Sequence, residues 1–273
     1  MFRSQLYKSL RILHRLRSQD PVEEEFRGWN WDKPPLRPRG YFGLGVSEVA
    51  YRYCPTRRDF YLRRMGVRGT VTEPLYNGTL VHMVFNIAAE DVRRGLVLGK
   101  RGWEVYEEAS SNAVERLKKA GIDVDSRPWL LRLYKMLVLD WSAEEWYTLF
   151  TEYKVDGSVL GLSRNLRADG LAEGGLVLEV KFGRPANFHK LALAGYALAL
   201  EASLETAFDY GVLVYESNNG DVRVDWEPVY ISTSLRKEFI EARDELIDML
   251  INDIEPPKAS SCPSSCPFKE VCG

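Results

Sequence analysis

Two short runs carry the residues best suited to chemistry. Arg167-Ala168-Asp169-Gly170 places an acid within one run, and Leu176-Val177-Leu178-Glu179-Val180-Lys181 ends the next run in E-x-K. On an extended strand Glu179 and Lys181, two residues apart, point to one face. A hairpin pairing the two runs brings Asp169 to them. Two carboxylates in reach of one point bind a hard divalent cation such as Mg²⁺ or Mn²⁺. A lysine beside them can orient or deprotonate a metal-bound water for attack on phosphorus, while the metal lowers that water's pKa and neutralises charge developing on the phosphate. D-x9-E-x-K alone is a weak pattern, because a surface hairpin with a salt bridge also produces it. Leu176 to Val180 is apolar apart from Glu179, however, and a charge in such a run needs a partner or a purpose.

Further residues join this set by position. Glu152 opens the preceding strand. His82 follows Gly78 by four residues in a helical stretch (G-x-x-x-H); a lone helical histidine is more often structural, so its meaning comes from the ensemble. His189, Ala192 and Tyr196 lie near one face of a later helix and would present polar groups to a phosphate. Arg57, Arg58, Arg63, Arg64 and Arg68 crowd into one segment, either as a solvated helix face or as a nucleic-acid contact. His189 and Lys190 are the other candidates for touching DNA.

The four cysteines are Cys54, Cys262, Cys266 and Cys272, three of them in C-x3-C-x5-C. Disulfides are disfavoured, since no secretory signal is evident and the chain is long enough to bury a core. Converging thiolates suit Zn²⁺ or an iron–sulfur cluster. Structural zinc usually takes ligands in two close pairs, whereas this three-plus-one arrangement looks more like 4Fe–4S ligation; zinc, disulfides and free thiols stay open beside it. Pro55, Pro263 and Pro267 follow three of the cysteines and turn the chain. A cluster would staple the tail to the N-terminal region.

The elements that position these residues follow from periodicity and punctuation. Residues 1–19 read as an amphipathic helix, with Phe2, Leu6, Leu10, Leu13 and Leu16 on one side and Arg3, Lys8, Arg11, Arg15 and Arg17 as its cations. A transit peptide or a nucleic-acid-binding face are the alternatives. Residues 20–45, rich in Pro, Gly and Trp, read as an irregular arm that buries aromatics. Ser47 caps a predicted helix over Glu48–Tyr53, and helices follow over Arg57–Arg64, Pro74–Arg94, Trp103–Ala120 and Pro128–Phe150. Strands are predicted at Glu152–Leu162, Leu166–Ala172 and Leu176–Phe182, the last two joined by Gly174-Gly175. A buried helix over Ala186–Leu204, strands Ala207–Tyr215 and Val222–Tyr230 around an Asn218-Asn219-Gly220 turn, and a helix over Ser232–Ile254 complete the chain. This is an α/β order, β-β-β-α-β-β with helical flanks: a helical N-terminal region over 1–150, a core over 151–255 and a cysteine tail over 256–273.

Composition excludes several classes. With 273 residues, 45% hydrophobic and 28% charged, the chain is an ordinary globular sequence. No run of about 18 apolar residues is present to span a membrane, and a cytoplasmic location is expected. A net charge of −2 means that any nucleic-acid contact is local rather than global. The two glutamines, against many Glu, Arg and Leu, mildly suggest a thermophile. No G-x4-G-K-[ST] loop occurs, so no ATP-driven motor is present.

Taken together, these motifs resemble the RecB-like nucleases of the PD-(D/E)XK type, and specifically the CRISPR-associated Cas-four family in its Csa-one branch. The match runs from V-S-E-V-A-Y-R-Y-C around Cys54, through G-x-x-x-H at His82, R-A-D-G at Asp169 and E-V-K at Glu179 and Lys181, to the helix of Tyr196 and the terminal cysteines. The resemblance implies a restriction-endonuclease-like mixed sheet flanked by helices, with an iron–sulfur tail. It implies a DNA exonuclease, often 5′ to 3′ on single strands, acting beside the Cas-one and Cas-two integration proteins in spacer processing. By position, His82, Asp169, Glu179 and the Val180 carbonyl hold Mg²⁺ or Mn²⁺, with Glu152 a less secure match. Lys181 serves the water, Tyr196 assists, and Cys54, Cys262, Cys266 and Cys272 hold the cluster. One departure stands out: the family's glutamine four residues before the tyrosine is Ala192 here. It keeps a second reading open, that of a weakly active or inactive iron–sulfur DNA-binding subunit.

Overall fold

The computed structural model describes residues 2–218, 220–263 and 265–272; Asn219 of the predicted turn and the side chains of Phe2 and Arg3 lie outside the described residues. In chain order the elements are α1 (Phe2–Gln19), α2 (Val46–Ala50), α3 (Arg58–Arg64), α4 (Glu73–Val97), α5 (Gly102–Lys119), α6 (Pro128–Ala143), β1 (Phe150–Val155), β2 (Leu166–Ala172), β3 (Leu176–Phe182), α7 (His189–Leu204), β4 (Tyr210–Asn218), β5 (Val222–Tyr230), α8 (Thr233–Ile251) and α9 (Lys269–Cys272). β2, β3 and β5 have the predicted bounds. Gly174 and Gly175 both take positive φ, 75° and 73°, which only glycine adopts without cost and which turns β2 into β3.

Other boundaries differ, each for a local reason. Ser47 does not cap α2: Gly45 precedes the helix, and Glu48 Oε2 reaches back to accept the Gly45 N–H at 2.8 Å. α2 then ends at Ala50, which frees Tyr51 to turn inward, while Tyr53 stays exposed. α6 stops at Ala143 rather than Phe150, because Glu145 turns left-handed and the Trp146 N–H closes onto Trp141 O at 2.9 Å. β1 ends at Val155, where Asp156 Oδ1 accepts the Ser158 N–H at 2.8 Å and starts a short 3₁₀ turn. β4 begins at Tyr210, not Ala207, and runs on to Asn218. In the arm Phe26 and Leu36 are buried, yet Trp31 and Tyr41 stay exposed, contrary to the expectation that the arm buries its aromatics.

The five strands lie in the order β1-β2-β3-β4-β5. All neighbours are antiparallel except β3 and β4, which run parallel and are joined through α7; a parallel pair needs such a crossover. Both faces of the sheet are covered. Val177, Leu213 and Tyr215 face a core shared with α2, α7, α8 and the arm, and Leu178, Val180, Val212 and Val214 face one shared with α1, α4, α5 and α6. α7 is buried on nearly every side from Leu191 to Glu201. A third, small cluster of Leu62, Phe268 and Cys272 seats the tail against α3, with the Thr70 N–H bonding Pro267 O at 2.8 Å. No helix among the described residues is long and apolar enough to cross a membrane.

A buried ionic network ties the arm to the core. Glu201, fully buried on α7, accepts from Arg236 Nη1 and Nη2 at 2.7 and 2.9 Å, from Arg27 Nη1 at 2.9 Å, and from the N–H groups of Gly28 and Phe208 at 2.8 and 3.0 Å. Asp209 balances the second guanidinium. A Cβ at Gly28 would meet Leu198 O at 2.1 Å, so only glycine lets the arm approach α7 this closely. Removing Glu201 leaves two buried guanidiniums with only Asp209 between them. Glu201→Ala is therefore expected to lower unfolding free energy by about 3–5 kcal/mol in a denaturant titration at neutral pH. A loss below about 1 kcal/mol, the range of exposed pairs, would show that the network contributes little.

Candidate active site

β2 and β3 pair regularly from Ala172↔Leu176 to Gly170↔Leu178 and then stop. The next step would set Asp169 against Glu179. Instead the Asp169 Oδ2 accepts the Val180 N–H at 2.7 Å, replacing a ladder bond with a side-chain bond. On the other edge the β1–β2 register passes from Thr151↔Gly170 to Tyr153↔Ala168 and skips Glu152. Glu152 sits at φ 51°, a left-handed conformation costing an L-residue about 1–2 kcal/mol. The sheet therefore opens on both sides of Asp169, while β3 stays paired to β4 along its whole length.

Side chains from four elements converge on this opening. From α4, His82 Nδ1 lies 3.0 Å from Asp169 Oδ1. On β3, Lys181 Nζ donates to Glu179 Oε1 at 2.5 Å and to Val180 O at 2.8 Å, and lies 4.8 Å from the Tyr51 ring centroid. The Tyr51 hydroxyl donates to the same Glu179 oxygen. Glu179 Oε2 is buried with no hydrogen-bond partner. Glu152 makes a looser ion pair, 3.5 Å, with Arg167.

The charges follow from these contacts. Burial raises the pKa of Asp169, but the charge and hydrogen bond of His82, with Lys181 and the Val180 N–H, hold it below the usual carboxylate value. Burial and the charge of Asp169 push Glu179 up, against Lys181 and Tyr51. Burial lowers Lys181, but Glu179 and Asp169 outweigh it, so the ammonium keeps its proton. His82 is raised in the same way: burial opposes the charged ring, and Asp169 prevails. Burial and then the charges of Glu179, Asp169 and Glu152 push Tyr196 well above its ordinary value, so its hydroxyl stays neutral beside all three acids.

Several residues take places that the sequence did not reveal. His189 is buried, with Nδ1 accepting the Ala186 N–H at 3.3 Å and Nε2 lying 2.8 Å from the Tyr53 hydroxyl. Burial, aided by Lys181, drives its pKa down to about 4; it is a neutral packing residue, and Ala192 beside it is fully buried. Lys190 pairs with Glu227 at 2.6 Å. The basic segment is also largely committed. Arg57 is buried and donates to the carbonyls of Tyr51, Glu48 and Val49. Arg58 binds Pro256 O and Glu255, and Arg64 binds Glu48 and the Phe42 carbonyl. Arg63 lies 6.0 Å from the Phe268 ring centroid. Arg57, Arg58 and Arg64 hold the chain together, while Arg63 and Arg68 are exposed.

Two groups escaped the sequence reading. Tyr51 shares a motif with Cys54 but carried no assigned role. Glu216, two residues before the end of β4, has both carboxylate oxygens buried and unpartnered. It stands opposite Phe182 in the parallel register, and Asp169 and His82 both act on it electrostatically. Its signal was an acid next to an apolar run, as Glu179 is in β3, but the predicted strand stopped one residue short at Tyr215.

The cysteines gather at the tail. Cys54 and Cys272 are buried, all four are free thiols, and the charges of Cys266, Cys272 and Cys54, after partial burial, push the Cys262 thiol up. Burial raises Cys54, but the Thr56 hydroxyl and the Asp59 and Thr56 backbone N–H groups bring it below its ordinary value. Among the described residues, no group of three or more His, Cys, Asp or Glu side chains closes tightly enough to be a formed metal site. At the sheet opening the reason is visible: Glu179 is turned to Lys181 and Tyr51, and Asp169 to His82 and Val180. The donor sets nonetheless suit metals. Orphaned buried carboxylate oxygens suit a hard cation, and four neighbouring thiols suit a soft one.

Burial raises Glu216 from 4.5 to about 8. In metal-free protein the folded chain holds this proton where the unfolded chain has released it, so stability falls as pH rises from about 4.5 to about 8. Glu216→Gln is expected to abolish that part of the pH dependence in denaturant titrations with chelator, its advantage over the parent growing toward pH 8. Parallel curves would place the Glu216 carboxylate in a solvated environment.

Comparison with known proteins identifies the family of the chain. A model of the family described as CRISPR-associated exonuclease Csa1 matches residues 1–148 and 146–273. The CRISPR-associated exonuclease Csa1 of Thermoproteus tenax is 35% identical over 277 aligned residues, 98% of either chain, and that of Saccharolobus solfataricus is 31% identical over 92% of either chain. A crystal structure of SSO0001 covers 60% of this chain and 74% of its own, at 18% identity and a TM-score of 0.27, too slight a likeness to bear on the fold. With family and relatives matched along nearly the whole length, the chain belongs to the CRISPR-associated exonuclease Csa1 family.

Proposed function

We propose that the chain is a Mg²⁺- or Mn²⁺-dependent deoxyribonuclease of PD-(D/E)XK type that trims DNA ends, 5′ to 3′ on single strands, during CRISPR spacer processing beside Cas-one and Cas-two. The supporting observation is the unpartnered buried oxygen of Glu179 at a sheet opening shared with Asp169 and Lys181, in a member of an exonuclease family. His82, Asp169, Glu179 and the Val180 carbonyl would hold the cation, with Glu152 and Glu216 alongside. The bound cation supplies Lewis acidity toward the phosphate and a more acidic water. Lys181, hydrogen-bonded to Glu179 and the Val180 carbonyl, would orient or deprotonate the metal-bound water and offset charge at phosphorus. Tyr51 holds the shared Glu179 oxygen, leaving Oε2 free, and the neutral Tyr196 hydroxyl is a donor toward the scissile group. In this reading residues 1–150 form the helical flank, 151–255 the nuclease core and 256–273 the tail.

The same proposal assigns Cys54, Cys262, Cys266 and Cys272 to a 4Fe–4S cluster. It would cross-link the tail to α3, where Leu62, Phe268 and Cys272 already pack. The buried Ala192, in place of the family glutamine, favours one other reading: a DNA-binding subunit that cuts feebly or not at all.

Two experiments test these assignments. Asp169→Asn and Lys181→Ala are each expected to reduce Mn²⁺-dependent cleavage of end-labelled single strands by about 100-fold or more without changing the far-UV spectrum. A parent protein that binds DNA but cuts nothing with either metal would establish the non-catalytic reading instead. Protein isolated without oxygen is expected to carry about four irons per chain with broad visible absorbance, lost in Cys262→Ser. Colourless protein with about one zinc per chain would refute the cluster.

A further inference from the structure

Beyond the sheet opening, the most exposed aromatic groups of the arm stand over a basic strip. Trp31 and Tyr41, 38% and 66% exposed, line a cleft with Ser158, Val159, Ser163 and Arg164. Arg164 also lines the adjoining hollow with Lys154, Asn165 and Arg167, and Arg167 reaches Glu152, which stands opposite Asp169. Basic groups thus lead from the opening to the aromatics. Lys154 and Arg164 form no ion pair among the described residues. Two acids lie along the strip: Glu152 pairs with Arg167, and Asp156 accepts the Ser158 N–H and lies within electrostatic reach of Arg164. The mount is firm: the Leu44 N–H bonds Gly161 O at 3.2 Å and the Ser163 N–H bonds Leu44 O at 2.9 Å, and Gly161 lies so near the arm that a Cβ there would come within 3.0 Å of Gly40 O and Pro38.

We propose that this cleft is a stacking platform for single-stranded nucleic acid, with Trp31 and Tyr41 taking bases while Arg164, Arg167 and Lys154 follow the phosphates from the opening at Asp169. The inference rests on the nuclease reading above and adds where the strand outside the cutting point lies. Exposed aromatic faces beside a run of cations, with Lys154 and Arg164 outside any ion pair among the described residues, are what a base-tolerant single-strand track requires. A protein surface of acidic character is the competing occupant.

The test uses the full-length protein and fluorescein-labelled oligo(dT). Binding is read by anisotropy in chelator, and cleavage is read with Mn²⁺, on strands of about 16 nucleotides and of about three, the latter below the usual site size. Trp31→Ala with Tyr41→Ala is expected to weaken binding of the long strand by roughly tenfold per ring and to leave cleavage of the short strand unchanged. Trp31→Phe with Tyr41→Phe keeps the affinity, which a loss through misfolding would not explain. Arg164→Glu lowers the steepness of the salt dependence by about one. Quenching of parent fluorescence by the long strand, absent in Trp31→Phe, reports stacking directly. Unchanged long-strand affinity in the alanine double variant, with the parent still cutting, overturns the platform alone. A parent that neither binds nor cuts any strand overturns the nuclease reading with it. Polyglutamate bound as tightly as the single strand, and lost equally in the double variant, would make the cleft a protein-docking surface.

Discussion

Where β2 parts from β3 at Asp169, the backbone loses the ladder that elsewhere satisfies it, and side chains take over. Asp169 accepts the stranded Val180 N–H, and Lys181 covers the Val180 carbonyl. The same two contacts place a carboxylate and an ammonium at one edge of one strand. β3 remains paired to β4 along its whole length, which holds one side of the opening, while on the other Glu152 takes a left-handed backbone. A buried polar split of this kind is expensive in a sheet, and chemistry at the site is a physical reason for retaining it.

The rest of the fold supports that split from behind. α7 fills the space under Glu179, and it is itself fixed by Glu201 between two guanidiniums. The arm that supplies Arg27 continues into α2, whose early stop delivers Tyr51 to Glu179. Arg57 then ties the α2 carbonyls together next to Cys54. One short stretch of chain therefore runs from Tyr51 at the carboxylates of the opening to Cys54.

Much of this was legible from residue order. The β2–β3 hairpin follows from two apolar runs around a glycine pair, and the E-x-K at its end follows from strand alternation. Pro74 and Pro128 mark helix starts that the structure keeps within a residue. What was not legible depends on contacts distant in sequence. The His82 approach to Asp169 spans 87 residues, and only motif order hinted at it. Arg57 and Arg58 look like surface cations because composition does not show which carbonyls lack partners. His189 looks like a phosphate contact until Tyr53 and Tyr215 are seen to bond it. Glu216 was lost to a strand boundary misplaced by a few residues, since the length of β4 is set by pairing with β3 and β5.

The account stands on the opening at Asp169 being built to receive a divalent ion. Anomalous scattering from crystals grown with Mn²⁺ tests this most directly. The expected result is an ion within about 2.0–2.6 Å of carboxylate oxygens from both Asp169 and Glu179, with Glu179 Oε2 among its ligands. Anomalous density elsewhere, with Asp169 still on His82 and Glu179 still on Lys181 in crystals of protein that cuts DNA, would contradict it.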